Sequence, residues 1–182
     1  VAMREHGFSF DHNLHALRIV EDFELRYAAF RGLNLTFEVR EGIIKHSHDY
    51  QAGQHPELAE YLLDLRPPLE AQLIDVADEI AYNTADLDDG FESRLLTLDQ
   101  IRSGLPVFSR FYDEVETIYP TAIKKLKFNE ALKRMLNRWV GDLIENTKEQ
   151  IRQAGIRTLE DVRSCQRRLV TLSAPIEQER RE

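Results

Sequence analysis

The stretch Asp75-Val76-Ala77-Asp78-Glu79-Ile80-Ala81-Tyr82-Asn83-Thr84-Ala85-Asp86-Leu87-Asp88-Asp89-Gly90 constrains this chain more than any other. It has no proline and no strand-like alternation, so it reads as a single helix. Its acidic residues are interrupted by Ile80, Ala81, Tyr82 and Leu87 rather than by lysines. Asp78, Tyr82 and Asp86 are spaced i, i+4, i+8 and project from nearly one face. Asp75 joins them one turn earlier. Clustered carboxylates repel one another on an ordinary surface, and a cation or a set of hydroxyl donors would resolve that conflict. The helix is therefore the first candidate for a site.

Helical period recurs along nearly the whole chain. Asp11 is placed to cap a helix carrying Leu14, Leu17, Ile19, Val20, Phe23 and Leu25 toward Tyr27. Gly32 and Asn34 break it. Thr36 starts a second helix with Phe37, Val39, Ile43 and Ile44 inward. Residues 47–56 are polar and read as a loop. A short helix around Glu57 to Leu65 stops at Arg66-Pro67-Pro68, and the acidic helix runs from about Leu69 to Arg94. Further helices are expected from Thr97 to Gly104, from Val107 to about Ile118, and from Asn129 to Gln153. The last carries Leu132, Met135, Leu136, Trp139, Leu143, Ile144 and Ile151 as its apolar stripe. Gly155 ends it, and Thr158 caps a final helix through Val162, Leu169 and Leu172. No strand pair or internal repeat is evident, so the fold class is all-α.

Composition narrows the function. With 182 residues, 42% apolar and 31% charged, the chain can build a hydrophobic core. A net charge of −8 gives no overall attraction to nucleic acid or to an anionic membrane. A basic stripe of Lys124, Lys125, Lys127, Lys133, Arg134 and Arg138 near Trp139 keeps nucleic-acid binding open but not favoured. No apolar run approaches the roughly 20 residues that span a bilayer. The single cysteine, Cys165, forms no internal disulfide, as expected of a cytoplasmic protein.

All six histidines (His6, His12, His15, His46, His48 and His55) precede residue 56. Beside an acidic helix they could contribute to a mixed nitrogen and oxygen site for Mg, Mn, Fe or Zn. His48-Asp49 lies in a polar loop, whereas a paired His-Asp metal motif is expected on a helix with another histidine upstream. It is therefore not taken as the metal pair. The chain has no zinc-type Cys/His spacing, no phosphate-binding glycine loop and no G-x-S-x-G elbow.

Several segments together resemble the deoxyguanosine triphosphate triphosphohydrolases, a family of HD-domain enzymes. They are Phe10-Asp11-His12-Asn13-Leu14-His15-Ala16-Leu17-Arg18-Ile19-Val20, Arg26-Tyr27, Gly32-Leu33-Asn34-Leu35-Thr36, Glu41-Gly42-Ile43-Ile44-Lys45-His46, and Pro68-Leu69-Glu70-Ala71-Gln72 followed by Asp75 to Gly90. They run in the family's order.

The resemblance implies an HD-domain-like helical bundle that hydrolyses a deoxynucleoside triphosphate to deoxynucleoside and tripolyphosphate. It implies a divalent metal with Asp78 as one ligand, Tyr82 near the sugar and phosphates, and Asp86 suited to the 3′-hydroxyl. His12 becomes the acid/base candidate, with Asn13 and Lys45 as further substrate contacts. A homo-oligomer is expected. The family's first histidine and helical His-Asp pair stand upstream of the Phe10 segment and are absent from this sequence. The bundle is then expected to be incomplete, the chain an internal fragment inactive alone. Residues 1–95 would be part of the catalytic domain and 96–182 a helical region packed on it. The competing reading is a non-catalytic nucleotide-binding or regulatory module.

Overall fold

The computed structural model describes residues 10–46, 50–51 and 53–181. Among these the chain is all-α. Its one β feature is an isolated bridge between Leu25 and Gly32. Packing divides the chain into two units. The first holds residues up to Asp75 together with Ile156–Leu169, and the second holds Val76–Gly155 and Val170 onward. This division groups residues by contact, and its boundary falls inside the acidic helix. The division at residue 95 groups them by expected role.

In the first unit, α1 (His12–Arg18) is capped by Asp11, whose Oδ1 accepts the Leu14 amide at 2.9 Å. One cap of this kind contributes roughly 1 kcal/mol. The expected continuation to Tyr27 does not form. The helix loosens into a π-helical turn, Ile19–Phe23, and then opens. Gly32, at φ +70, brings the chain back so that the Leu33 amide donates to Val20 O at 2.7 Å. Asn34 is also left-handed, at φ 52, so both expected breakers carry left-handed backbone, but the helix itself has already ended at Phe23. α2 (Phe37–Ile44) follows with Thr36 as its N-cap residue.

Leu17, Ile44, Tyr50, Leu58 and Tyr61 form this unit's core, with Leu14, Val20, Phe37, Ile43 and Leu63 packed against it. Val39, expected inward, is exposed, because α2 is covered on one face only. The expected helix from Glu57 to Leu65 is a shorter 3-10 turn, Pro56–Tyr61. It ends at Leu62 in a left-handed conformation.

α3 (Leu69–Glu92) is the acidic helix and continues into the second unit. It buries Ala71, Gln72, Val76, Ile80, Thr84 and Leu87. α4 (Leu98–Gly104) begins with a capping box between Thr97 and Gln100, as its sequence indicates.

α5 (Pro106–Ile118) and α6 (Lys124–Ala154) pack on each other in the second unit. Phe108, Tyr112, Val115, Phe128, Ala131, Met135, Trp139 and Leu143 are buried there. Phe91, from the end of α3, stacks on Phe128 at 4.0 Å. α6 starts five residues before the expected Asn129, because Lys127 is buried rather than solvated. Its ammonium bonds Glu116 at 2.7 Å and Pro120 O at 2.9 Å. Ile144, expected in the stripe, is half exposed.

Gly155, left-handed at φ +66, closes α6 as expected. The single last helix is instead two, α7 (Leu159–Ser164) and α8 (Ala174–Arg181). Leu169 and Val170 between them are buried without being helical. No helix of the described residues is long and apolar enough to cross a membrane.

Candidate functional site

The acidic helix is held from both ends. Before it, the Gln72 amide donates to Pro67 O at 2.9 Å and its oxygen accepts the Leu169 amide at 3.1 Å. At the other end, Phe91 anchors the helix on Phe128. With Ile80, Thr84 and Leu87 directed into the core, the 100° step per residue turns Asp78, Tyr82 and Asp86 onto the opposite, exposed face. Tyr82 is 62% exposed and so is not a core tyrosine.

Ion pairing sorts the carboxylates of this helix. Asp75 meets Arg168 Nη2 at 2.6 Å and lies 2.7 Å from His46 Nδ1, an approach too far off line for a hydrogen bond. Glu79 pairs with Arg180 at 3.1 Å. Asp88 pairs with Lys125 at 2.8 Å, and Lys125 also reaches Glu92. Among the described residues, Asp78 and Asp86 have no such cation. Asp75 thus leaves the cluster the sequence suggested. Arg168 neutralises it, and of the carboxylates left without a cation Asp78 and Asp86 are the two that flank Tyr82.

His12, Asn13 and Lys45 lie in the first unit. His12 is exposed at the start of α1, with Nδ1 3.4 Å from Asn13 Oδ1. Asn13 is buried, and its amide donates to Ile44 O at 3.0 Å and His46 O at 2.7 Å. Those are carbonyls at the C-terminus of α2, where helical partners run out.

Lys45 has all three donors placed: on Glu41 Oε1 at 2.8 Å, Leu62 O at 2.7 Å and Leu65 O at 2.9 Å. Burial lowers its pKa below the ordinary lysine value, and the Glu41 carboxylate opposes that shift. In this arrangement it has no donor left for a phosphate. The three site residues of the acidic helix and the pair His12–Asn13 remain as candidates, each in its own unit. His6 and the His48-Asp49 pair fall outside the described residues.

Sequence reasoning missed the role of residues 156–169. Arg163 Nη2 bonds the fully buried Glu41 at 2.7 Å, and Arg168 bonds Asp75. An arginine some 90 to 120 residues downstream of its partner carries no local signal. Glu41 stands in sequence beside Glu38, Arg40 and Lys45, so nothing local marked it as the carboxylate that would be buried and need a distant cation. The supposed basic stripe is also largely consumed. Lys125, Lys127, Lys133, Arg134 and Arg138 all pair with carboxylates.

No family model matches the chain. Curated relatives do. It is 44% identical over 164 residues to a deoxyguanosinetriphosphate triphosphohydrolase-like protein of Thiobacillus denitrificans, covering 90% of this chain and 43% of that one. The same description belongs to a protein of Azoarcus sp., 44% identical over 96% of this chain and 46% of its own length. A Geobacter sulfurreducens protein so described is 40% identical over 96% of this chain and 45% of its own. The fold and these matches define an all-helical chain homologous to hydrolases. Over this stretch it is homologous to proteins described as deoxyguanosinetriphosphate triphosphohydrolase-like, and it spans less than half the length of the curated relatives it matches.

Proposed function

We propose that the chain is part of a deoxynucleoside triphosphate triphosphohydrolase, acting in the cytoplasm as a homo-oligomer. The reaction releases deoxynucleoside and tripolyphosphate. The observation that carries this reading is the pairing pattern on α3. Asp75, Glu79, Asp88 and Glu92 each have a cation, while Asp78, Asp86 and Asp89 have none among the described residues, and of these three Asp78 and Asp86 share the face with Tyr82. Exposed carboxylates two turns apart on one face, without a cation and with a tyrosine between them, are available to a ligand.

Within this reading Asp86 accepts a hydrogen bond from the sugar 3′-hydroxyl, and Tyr82 lays its ring against the sugar with its phenol as a donor. Water attacks the α-phosphorus as its bond to the 5′-oxygen breaks, and His12 supplies the proton that the leaving oxygen takes up. Asp78 is assigned to a divalent metal, Mg, Mn, Fe or Zn. The described residues contain no group of three or more histidine, cysteine or carboxylate ligands suited to hold one. They therefore do not fit a complete metal site by themselves, and this chain alone is expected to release no tripolyphosphate. The same observation supports the second reading, a helical module that binds nucleotide without turnover.

Steady-state kinetics on a longer form carrying the upstream histidine and His-Asp pair tests the proposal. Asp78→Ala should abolish hydrolysis. Asp86→Ala should cost roughly 1.5–3 kcal/mol, the worth of one hydrogen bond to a charged acceptor. It should also weaken discrimination against a 3′-deoxy analogue. Near-normal turnover and metal content in Asp78→Ala would remove this helix from the site.

A further inference from the structure

Free imidazole in water prefers its proton on Nε2, and a folded protein overrides that preference only through what the other nitrogen meets. At His12 the other nitrogen, Nδ1, meets Asn13 Oδ1 at 3.4 Å, the long end of the hydrogen-bond range. What Asn13 presents there is settled by chemistry. Its two amide hydrogens go to Ile44 O and His46 O, at 3.0 and 2.7 Å. Rotating the amide by half a turn would aim its oxygen at two carbonyl oxygens, replacing two hydrogen bonds with two repulsions. Asn13 is only 7% exposed, so water cannot readily compensate. The group facing His12 Nδ1 is thus an acceptor with no donor to offer.

We infer that Asn13 is a positioning residue for His12, holding the neutral ring in its Nδ1–H form and leaving the lone pair on Nε2. This moves Asn13 from substrate contact to support, and its catalytic meaning rests on the proton-transfer role proposed above for His12. The neutral ring can take a proton at Nε2. The protonated ring then gives that proton to the leaving 5′-oxygen as its bond to phosphorus breaks, and returns to the same Nδ1–H form. The Nε2–H tautomer could not accept there. Burying the support beneath an exposed ring keeps the acceptor rigid while the reactive nitrogen stays accessible.

Two-bond 1H–15N spectra of the 182-residue chain distinguish the tautomers directly, with the His12 signals assigned by their loss in His12→Gln. The expected result is a majority of the Nδ1–H form in the unaltered chain. In Asn13→Ala the ratio should move toward Nε2–H by roughly threefold to tenfold, the equilibrium worth of one ordinary hydrogen bond. A majority of Nε2–H in the unaltered chain overturns the inference, whether or not either variant folds. So does an Asn13→Ala ratio that does not move. If the tautomer is as stated and His12→Gln spares hydrolysis in the longer enzyme, the role of His12 in the proposed function fails while the positioning stands.

Discussion

Arg163 Nη2 lies 2.7 Å from Glu41 Oε2, although 122 residues separate them in the chain. Glu41 is fully buried, and Lys45 occupies its other oxygen. The carboxylate therefore joins α2 to the returning 156–169 segment and, through Lys45, to the carbonyls of Leu62 and Leu65. Removing one member of a buried ion cluster strands the others. Glu41→Ala is expected to cost about 3–5 kcal/mol. Replacing Glu41, Lys45 and Arg163 together by apolar residues of similar size should recover much of it. Urea unfolding of both variants is the check; a loss under about 1 kcal/mol in Glu41→Ala would show the cluster to be dispensable.

Two glycines share a left-handed backbone but not a neighbourhood. A Cβ at Gly32 would come within 2.2 Å of Glu21 O and 2.5 Å of Val20 O, whereas a Cβ at Gly155 meets nothing within 4 Å. Gly155→Ala should cost only the conformational penalty, about 1 kcal/mol. Gly32→Ala adds a clash with backbone atoms that have no easy retreat, and should cost more, on the order of 1–3 kcal/mol. Thermal unfolding of the two variants side by side measures the difference. Equal losses would mean that the loop from Leu25 to Gly32 relaxes freely.

Local signals in the sequence located most elements, because they are set by neighbours a few residues away. Asp11, Thr97 and Thr158 start helices through side-chain caps, Thr36 stands at an N-cap without a side-chain bond, and Gly155 ends α6 through its left-handed backbone. The face shared by Asp78, Tyr82 and Asp86 was legible for the same reason, since 3.6-residue geometry fixes it. What escaped depends on distant partners. Val39 and Ile144 satisfy the helical period yet stay exposed, because period says which residues share a face and not whether anything covers it. The early start of α6 turned on Lys127 finding Glu116 and Pro120 O. The neutralisation of Asp75 turned on Arg168, 93 residues away.

Stability should fall on the alkaline side. Burial raises the pKa of Tyr50, Tyr61 and Tyr112 above the ordinary phenol value, reinforced by Asp11, Glu21 and Glu116 respectively. Unfolded phenols ionise near pH 10, roughly. Above that pH the unfolded chain loses protons that the native chain keeps. The stability these groups contribute is full below pH ~10 and drains as pH rises toward their folded values. Unfolding free energies measured between about pH 9 and 11 should decline, and Tyr61→Phe should flatten the decline by removing one of the three ionisations. An unchanged slope in Tyr61→Phe would mean that this phenol ionises as readily folded as unfolded.

The carboxylates of α3 should separate when each is neutralised in this chain. Asp75 has a side chain only 15% exposed and pairs with Arg168, so Asp75→Asn gives up a partly buried charge-assisted bond. Its expected cost is roughly 1.5–3 kcal/mol. Asp78 and Asp86 are exposed and have no cation among the described residues. Asp78→Asn and Asp86→Asn should stay within about 0.5 kcal/mol of the unaltered chain, and relief of like-charge repulsion along the helix tilts the sign toward stabilisation. Urea unfolding orders the three variants. The functional proposal needs this order, because side chains held for a ligand contribute little to the fold that presents them. If Asp78→Asn or Asp86→Asn destabilised the chain as much as Asp75→Asn, their carboxylates would already be engaged in holding the structure. Loss of hydrolysis in the longer enzyme would then be no argument for a metal or sugar contact.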